Sequence, residues 1–214
     1  MRLIDISQTL RPGLPVWPGD TPFDLTRTWA LDETCPVNVS RLTLSTHSGA
    51  HADAPLHYDP DGVAMEAVSL EPYIGLAQVL DVSGWGPRRI ILADIEARLT
   101  HGVQRVLLRT FEHFPHDHWP TEFATPDAGL IAALAARGVV LIGTDAPSLD
   151  PEDSKDLPAH HAVKRAGMAI LEGLVLDQAP EGLYELIALP LKLAGADASP
   201  VRAVLRSLSE EVLP

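Results

Sequence analysis

Three imidazoles and a carboxylate fall within eleven residues: His47, His51, Asp53 and His57, in the run Ser45-Thr46-His47-Ser48-Gly49-Ala50-His51-Ala52-Asp53-Ala54-Pro55-Leu56-His57. A zinc-type divalent ion prefers that donor set, and the same run constrains the backbone. His47 and His51 at i, i+4 would share a helix face, but Gly49 between them and Pro55 just beyond oppose a regular helix. All four donors occupy odd-numbered positions, so an extended segment would turn them to one face. A strand end running into a turn is therefore expected. One loop histidine is ordinarily a solvated surface residue. Four donors at coordinating spacing, among small residues that admit close approach, point to metal instead.

A metal needs further ligands, and a second cluster supplies candidates. Leu157-Pro158-Ala159-His160-His161 is followed by Gly167 and the apolar run from Met168 to Leu176, which contains Glu172. Proline at the start and glycine at the end bracket a helix over Pro158 to Ala166 that turns directly into a strand. His160 then lies near the helix start. Glu172 sits within an apolar strand, where a carboxylate is costly unless paired or on a metal; a salt-bridged strand residue is its plain alternative.

These segments resemble a known family. His47-x3-His51-x-Asp53-x-Pro55-x-His57, Gly143-Thr144-Asp145-Ala146-Pro147-Ser148-x-Asp150 and His160-x11-Glu172 are similar to motifs of the cyclase-like metal-dependent hydrolases, most closely the bacterial kynurenine formamidase (arylformamidase) branch. Asp5-Ile6-Ser7-Gln8-Thr9-Leu10 and Pro15-Val16-Trp17-Pro18-Gly19-Asp20 also match, so the resemblance runs over nearly the whole chain. It implies two zinc ions per subunit, the first on His47, His51 and Asp53 and the second on Asp53, His160 and Glu172, with Asp53 bridging. It implies His57 as the acid/base and Trp17 as a substrate-packing ring. His161 leaves open which of two adjacent imidazoles ligates, although the spacing to Gly167 and Glu172 favours His160. The resemblance further implies a swivelling β/β/α architecture, a homodimer or larger homo-oligomer with the site close to the subunit contact, and cleavage of N-formyl-L-kynurenine to L-kynurenine and formate in tryptophan degradation.

The chemistry also follows from the donors. Paired divalent ions acidify a shared water and polarise a carbonyl, which makes an amide or ester hydrolase. An anilide's nitrogen must be protonated as its C–N bond breaks, and a histidine beside the metals suits that task. Trp17 stands between Pro15 and Pro18 in a Pro/Gly-rich loop, a natural wall for an aromatic substrate or else an anchor pinning the loop. An isatin-type cyclic amide hydrolase, or another amidase or esterase, would use the same ligands. No Gly-x-Ser-x-Gly elbow occurs, which disfavours a serine hydrolase.

Other candidates are weaker. Phe111-Glu112-His113-Phe114-Pro115-His116-Asp117-His118-Trp119 reads as a surface or substrate-covering loop rather than a third metal site. Asp145 and Asp150 follow the apolar run 138–142, where turn and hydrogen-bond roles are expected, and Glu152, Asp153 and Asp156 read as a solvated charge run.

A chain of 214 residues with 46% hydrophobic content can bury one sizeable core, so a single domain over 1–214 is expected. The net charge of -13 opposes binding to nucleic acid or an anionic membrane. Cys35 alone cannot form an intrachain disulfide and fits a reducing compartment. The opening Met1-Arg2-Leu3-Ile4-Asp5 has no signal-peptide pattern, so a cytoplasmic protein is expected, and the resemblance implies a small aromatic formamide as its substrate.

The periodicity predicts a strand-rich, mixed α/β layered domain. Expected strands cover 3–9, 24–31, 39–46, 76–82, 105–109, 139–142, 168–176, 184–191 and 199–205. Expected helices cover 93–99, a segment capped by Thr125 with Pro126 in its first turn and ending at Gly138, and 158–166.

Overall fold

A computed structural model describes residues 2–208. Met1 and 209–214, which the single-domain expectation includes, lie outside the described residues. In chain order the strands are β1 (Leu3–Asp5), β2 (Asp24–Trp29), β3 (Val39–Thr43), β4 (His51–Asp53), β5 (Ile74–Asp81), β6 (Arg89–Ile90), β7 (Arg105–Arg109), β8 (Thr125–Pro126), β9 (Leu141–Thr144), β10 (Ala169–Glu172), β11 (Gly182–Ile187), β12 (Ala198–Pro200) and β13 (Val204–Ser207). The α-helices are α1 (Leu92–Ile95), α2 (Ala128–Ala136) and α3 (Pro158–Ala166).

Nine of these strands form one sheet in the order β1-β13-β11-β5-β7-β9-β10-β4-β12. Its middle, β5-β7-β9-β10, is parallel, and both wings are antiparallel. The parallel strands are apolar on both faces because each face meets a separate core. Leu107, Leu141 and Leu171 enter one core, while their chain neighbours Val106, Leu108, Ile142 and Ile170 enter the other. The second core is closed by Leu130, Ile131 and Leu134 of α2 and Ala162 and Val163 of α3. The first is closed by the sheet itself, since Ile4, Leu186 and Leu205 of the antiparallel wing pack onto Leu107 and Leu141. The sheet therefore curls into two β layers with helices on one outer face, the β/β/α layering that was expected. Each fully buried leucine contributes about 1.5–3 kcal/mol.

Two smaller sheets are separate from this one, β2 with β3 and β6 with β8, the latter packed on the second core through Ile90. The β2–β3 arm exposes every one of its strand residues, including Leu25 paired with Leu42 and Trp29 paired with Val39.

Several boundaries differ from expectation. The strand expected over 168–176 ends at Glu172, because Gly173 turns the chain at φ +63. The expected 199–205 strand divides into β12 and β13. Thr125 does not cap a helix: Thr125 and Pro126 extend beside β6, and the cap is Asp127, whose carboxylate accepts from Leu130 N–H at 2.6 Å. The segment 93–99 forms the single turn α1 followed by a 3-10 turn over Glu96–Arg98. Helix α3 spans the expected residues, with Gly167 closing it at φ +63. Among the described residues no helix is long and apolar enough to cross a membrane.

Candidate metal centre

The first histidine cluster does not form one extended segment. The chain turns through 46–50 first, and only His51–Asp53 is a strand, held between β10 and β12. His51 and Asp53, two apart on β4, share a face as the alternation requires. His47 arrives from the turn before, and His57 from a 3-10 turn (Pro55–His57) after it. Register brings in the next donor, because His51 pairs directly with Glu172 of β10. His160 comes from the first turn of α3.

The five residues meet around Asp53. His47 Nδ1 lies 3.2 Å and His51 Nε2 3.6 Å from Asp53 Oδ1. His160 Nε2 lies 3.5 Å from Asp53 Oδ2 and 3.5 Å from Glu172 Oε1. Glu172 Oε2 is 3.4 Å from His51 Nε2. Asp53 thus separates two donor groups, one on each oxygen. His160, not His161, occupies this centre. Among the described residues two sets are compact enough to hold an ion: His51 with Asp53 and Glu172, and His47 with Asp53 and His57. These divide the donors differently from the ligand sets that the resemblance implied.

Each inward-facing imidazole has its other nitrogen occupied by an oxygen that only accepts. His51 Nδ1–H donates to Gly49 C=O at 2.9 Å, His160 Nδ1–H to Asp150 Oδ2 at 2.7 Å, and His47 Nε2–H to Asp197 Oδ2 at 3.0 Å. That arrangement turns His51 Nε2, His160 Nε2 and His47 Nδ1 toward Asp53, where each can offer a lone pair to a cation when it carries no proton. Among the described residues, five buried side-chain polar atoms lack a hydrogen-bond partner, and four of them are His51 Nε2, His160 Nε2 and both oxygens of Asp53. Buried orphans on this scale are costly in a folded chain. Their convergence is what a divalent cation would satisfy, so the donor set fits a metal.

The electrostatics agree. Burial would raise the Asp53 carboxyl, but His160 and His47 outweigh it and hold Asp53 well below the usual range. Burial and Asp53 both push Glu172 up, yet His160 and His51 leave it lowered. Burial would lower His160, but Asp150, Asp53 and Glu172 raise it well above an ordinary histidine. His47 is raised to about 9 because Asp53 and Asp197 outweigh its burial. A cation would meet the same carboxylates in exchange for those protons.

Residues outside the expected ligand set support this centre. Asp150 was expected in a turn and hydrogen-bond role, and its hydrogen bonds reach the centre itself. Its Oδ1 accepts from Ala159 N–H at 3.0 Å and its Oδ2 from His160 N–H at 3.1 Å, so it caps α3 from outside while also holding the His160 ring. Leu157, left-handed at φ 40, offers no side-chain cap of its own. Glu152, expected in a solvated charge run, accepts from Trp119 Nε1–H at 2.8 Å. Asp145 does serve loop structure: its carboxylate accepts from Thr110 N–H and Oγ1–H, and burial pushes its pKa up to about 7 despite those bonds.

Beside the donors opens a cavity of about 280 Å³, near the lower end of small-ligand cavities. Trp17, Trp119, His57 and Leu157 are among its lining residues. The two indoles meet edge to face with centroids 5.5 Å apart. Phe111, Phe114, His118 and Trp119 of the 111–119 loop line a cavity together with His47 and His51, and the loop is pinned by Asp177, which accepts from Phe114 N–H, and by the Arg11–Asp117 ion pair. Gly173 permits a close approach at the rim, where an added Cβ would stand 2.5 Å from Gly49 O, the carbonyl that orients His51.

Residues 4–151 match the family model described as "Putative cyclase". The chain belongs to the cyclase family. The chain is 56% identical over 207 residues to the kynurenine formamidase of Maricaulis maris (strain MCS10), covering 97% of this chain and 99% of that one. Among solved structures, it is similar to one described as a potential metal-dependent hydrolase with cyclase activity, with a TM-score of 0.80 and 31% identity, covering 95% of this chain and 96% of the other. It is also similar to isatin hydrolase A from Labrenzia aggregata, with a TM-score of 0.81 and 26% identity, covering 95% and 93% of the two chains.

Proposed function

We propose that this cyclase is a metal-dependent arylformamidase, cleaving N-formyl-L-kynurenine to L-kynurenine and formate in tryptophan degradation. The observation that carries this reading is the convergence of orphaned donors on Asp53 beside an indole-lined cavity. The 56% identity to a kynurenine formamidase over nearly both chains supports the choice of substrate. His47, His51, Asp53, His160 and Glu172 would hold two zinc ions per subunit, which would supply carbonyl polarisation and an acidified water. Trp17 and Trp119 pack against the aryl ring and orient the formamide toward Asp53. His57, at the cavity wall, accepts a proton from the attacking water and passes it to the aryl nitrogen as the C–N bond breaks. The free thiol of Cys35 fits a cytoplasmic setting.

Turnover of N-formylkynurenine is expected to vanish on chelation and to return when zinc is restored. If the zinc-restored protein opens isatin but leaves the formamide intact, the second reading, a cyclic amide hydrolase, replaces the first; the similarity to isatin hydrolase A supports testing it. Trp17→Ala is expected to raise KM for an aromatic formamide about 2- to 10-fold, corresponding to about 0.5–1.5 kcal/mol of ring packing, with little change for an aliphatic one. Equal losses on both would make Trp17 a loop anchor.

We also propose a homodimer or larger homo-oligomer whose contact uses the β2–β3 arm, because paired Leu25 and Leu42 and paired Trp29 and Val39 stand in solvent on the single chain. Sedimentation is expected to give a mass of at least two chains, reduced to one by Leu42→Asp. A wild-type mass of one chain would refute this.

A further inference from the structure

Asp197 lies just before β12, and its carbonyl accepts from Ala54 N–H at 2.8 Å, which seats it against the end of β4. Its Oδ1 accepts from Thr46 Oγ1–H at 2.9 Å. Its Oδ2 accepts from His47 Nε2–H at 3.0 Å and stands 3.6 Å from His57 Nδ1. The rings of His47 and His57 are stacked at a tilt, with centroids 4.3 Å apart, so one carboxylate oxygen faces both. No other carboxylate among the described residues forms an ion pair with His57.

We infer that Asp197 is a positioning residue that serves two imidazoles with one oxygen, aiming His47 Nδ1 at the metal position and holding His57 in the orientation for proton transfer. The first half follows from valence: a carboxylate accepts only, so His47 must present Nε2–H to Asp197, and Nδ1, which faces Asp53, is the nitrogen left to offer a lone pair to a metal in exchange for its proton. The second follows from reach. At 3.6 Å the His57 contact lies just beyond hydrogen-bond length, and such contacts shorten when substrate fills a site. With Nδ1 turned to Asp197, the other ring nitrogen is free to face the cavity. Thr46 in turn holds the carboxylate, so Asp197 is braced on the side away from the histidines. The His57 half rests on the formamidase reading, whereas the His47 half does not.

The test measures zinc affinity, by competition with a chromophoric chelator, alongside kcat and KM at saturating zinc. Asp197→Asn is expected to weaken zinc binding about 10- to 100-fold and to lower kcat by a comparable factor, with KM nearly unchanged. The kcat loss should not add to that of His57→Ala in the double variant, since both act through one ring, whereas the affinity loss should persist there. Thr46→Val, which frees the carboxylate without touching either imidazole, is expected to move both quantities less and in the same direction; it decides the matter if Asp197→Asn fails to fold. A folded Asp197→Asn, or a Thr46→Val variant in its place, with wild-type affinity and kcat would overturn the inference. Additive kcat losses would overturn its His57 half. Wild-type protein without formamide turnover would refute the functional reading only, and the zinc measurement would still decide the His47 half.

Discussion

Asp53→Asn is expected to lower formamide hydrolysis by three orders of magnitude or more, beyond the roughly 10- to 100-fold typical of losing a residue that only orients a ligand. Asparagine keeps the shape of the side chain but loses its charge, and it can present an N–H₂ group where the imidazole lone pairs converge. The site is sensitive to that exchange because Asp53 is buried and neither oxygen has another hydrogen-bond partner. Each oxygen faces a different donor group, so one substitution weakens both. The measurement is zinc stoichiometry with thermal melting, with and without zinc. The wild type should gain about 2.7 kcal/mol for each site whose Kd free zinc exceeds 100-fold, and Asp53→Asn should gain almost nothing. The metal-free variant should melt below the metal-free wild type, because the carboxylate that His47 and His160 hold in its charged form is lost and those imidazoles are left without it. Full zinc loading of Asp53→Asn would contradict a shared ligand.

What the sequence could reveal of this centre depended on how local each contact is. The two-residue spacing of His51 and Asp53 is a property of one strand, and it was readable. Extending the same parity to His47 and His57 failed, because Gly49 at φ +64 and the turn from Pro55 take the chain out of the strand on either side. They reach the centre nonetheless, by turns rather than by alternation. The pairing of His51 with Glu172 is a register between strands 121 positions apart, and no local pattern encodes it. Helix α3 was bounded by its own Pro158 and Gly167, whereas Thr125-Pro126 carries signals that suit either a helix start or an edge strand. The competition was settled by β6, where Thr125 N–H finds Arg88 C=O and Asp127 N–H finds Ile90 C=O. Asp197 was opaque for the same reason: it is an isolated acid in sequence and acquires its role only when the fold brings it to two imidazoles, whereas the motif that ends at Asp150 marked that residue without naming His160 as its partner.

His57→Ala should leave zinc content and KM near wild type and lower kcat on N-formylkynurenine by about 10²- to 10⁴-fold, the usual contribution of a placed acid/base. Selectivity is expected because His57 is not among the buried orphaned donors; its side chain is 33% exposed at the cavity wall. The chemistry allows a sharper discrimination. An anilide nitrogen is too basic to leave without a proton, whereas an activated formate ester expels an oxyanion that needs none. If His57 chiefly delivers the proton, the variant should lose much less rate on the ester than on the anilide. Equal losses on both substrates would assign His57 to deprotonating the attacking water alone. Loss of zinc together with rate would make it a ligand, in the set with His47 and Asp53 that the geometry permits. Near-normal turnover with zinc retained would remove His57 from the reaction, and the proton would have to reach the leaving nitrogen from solvent through the open side of the cavity.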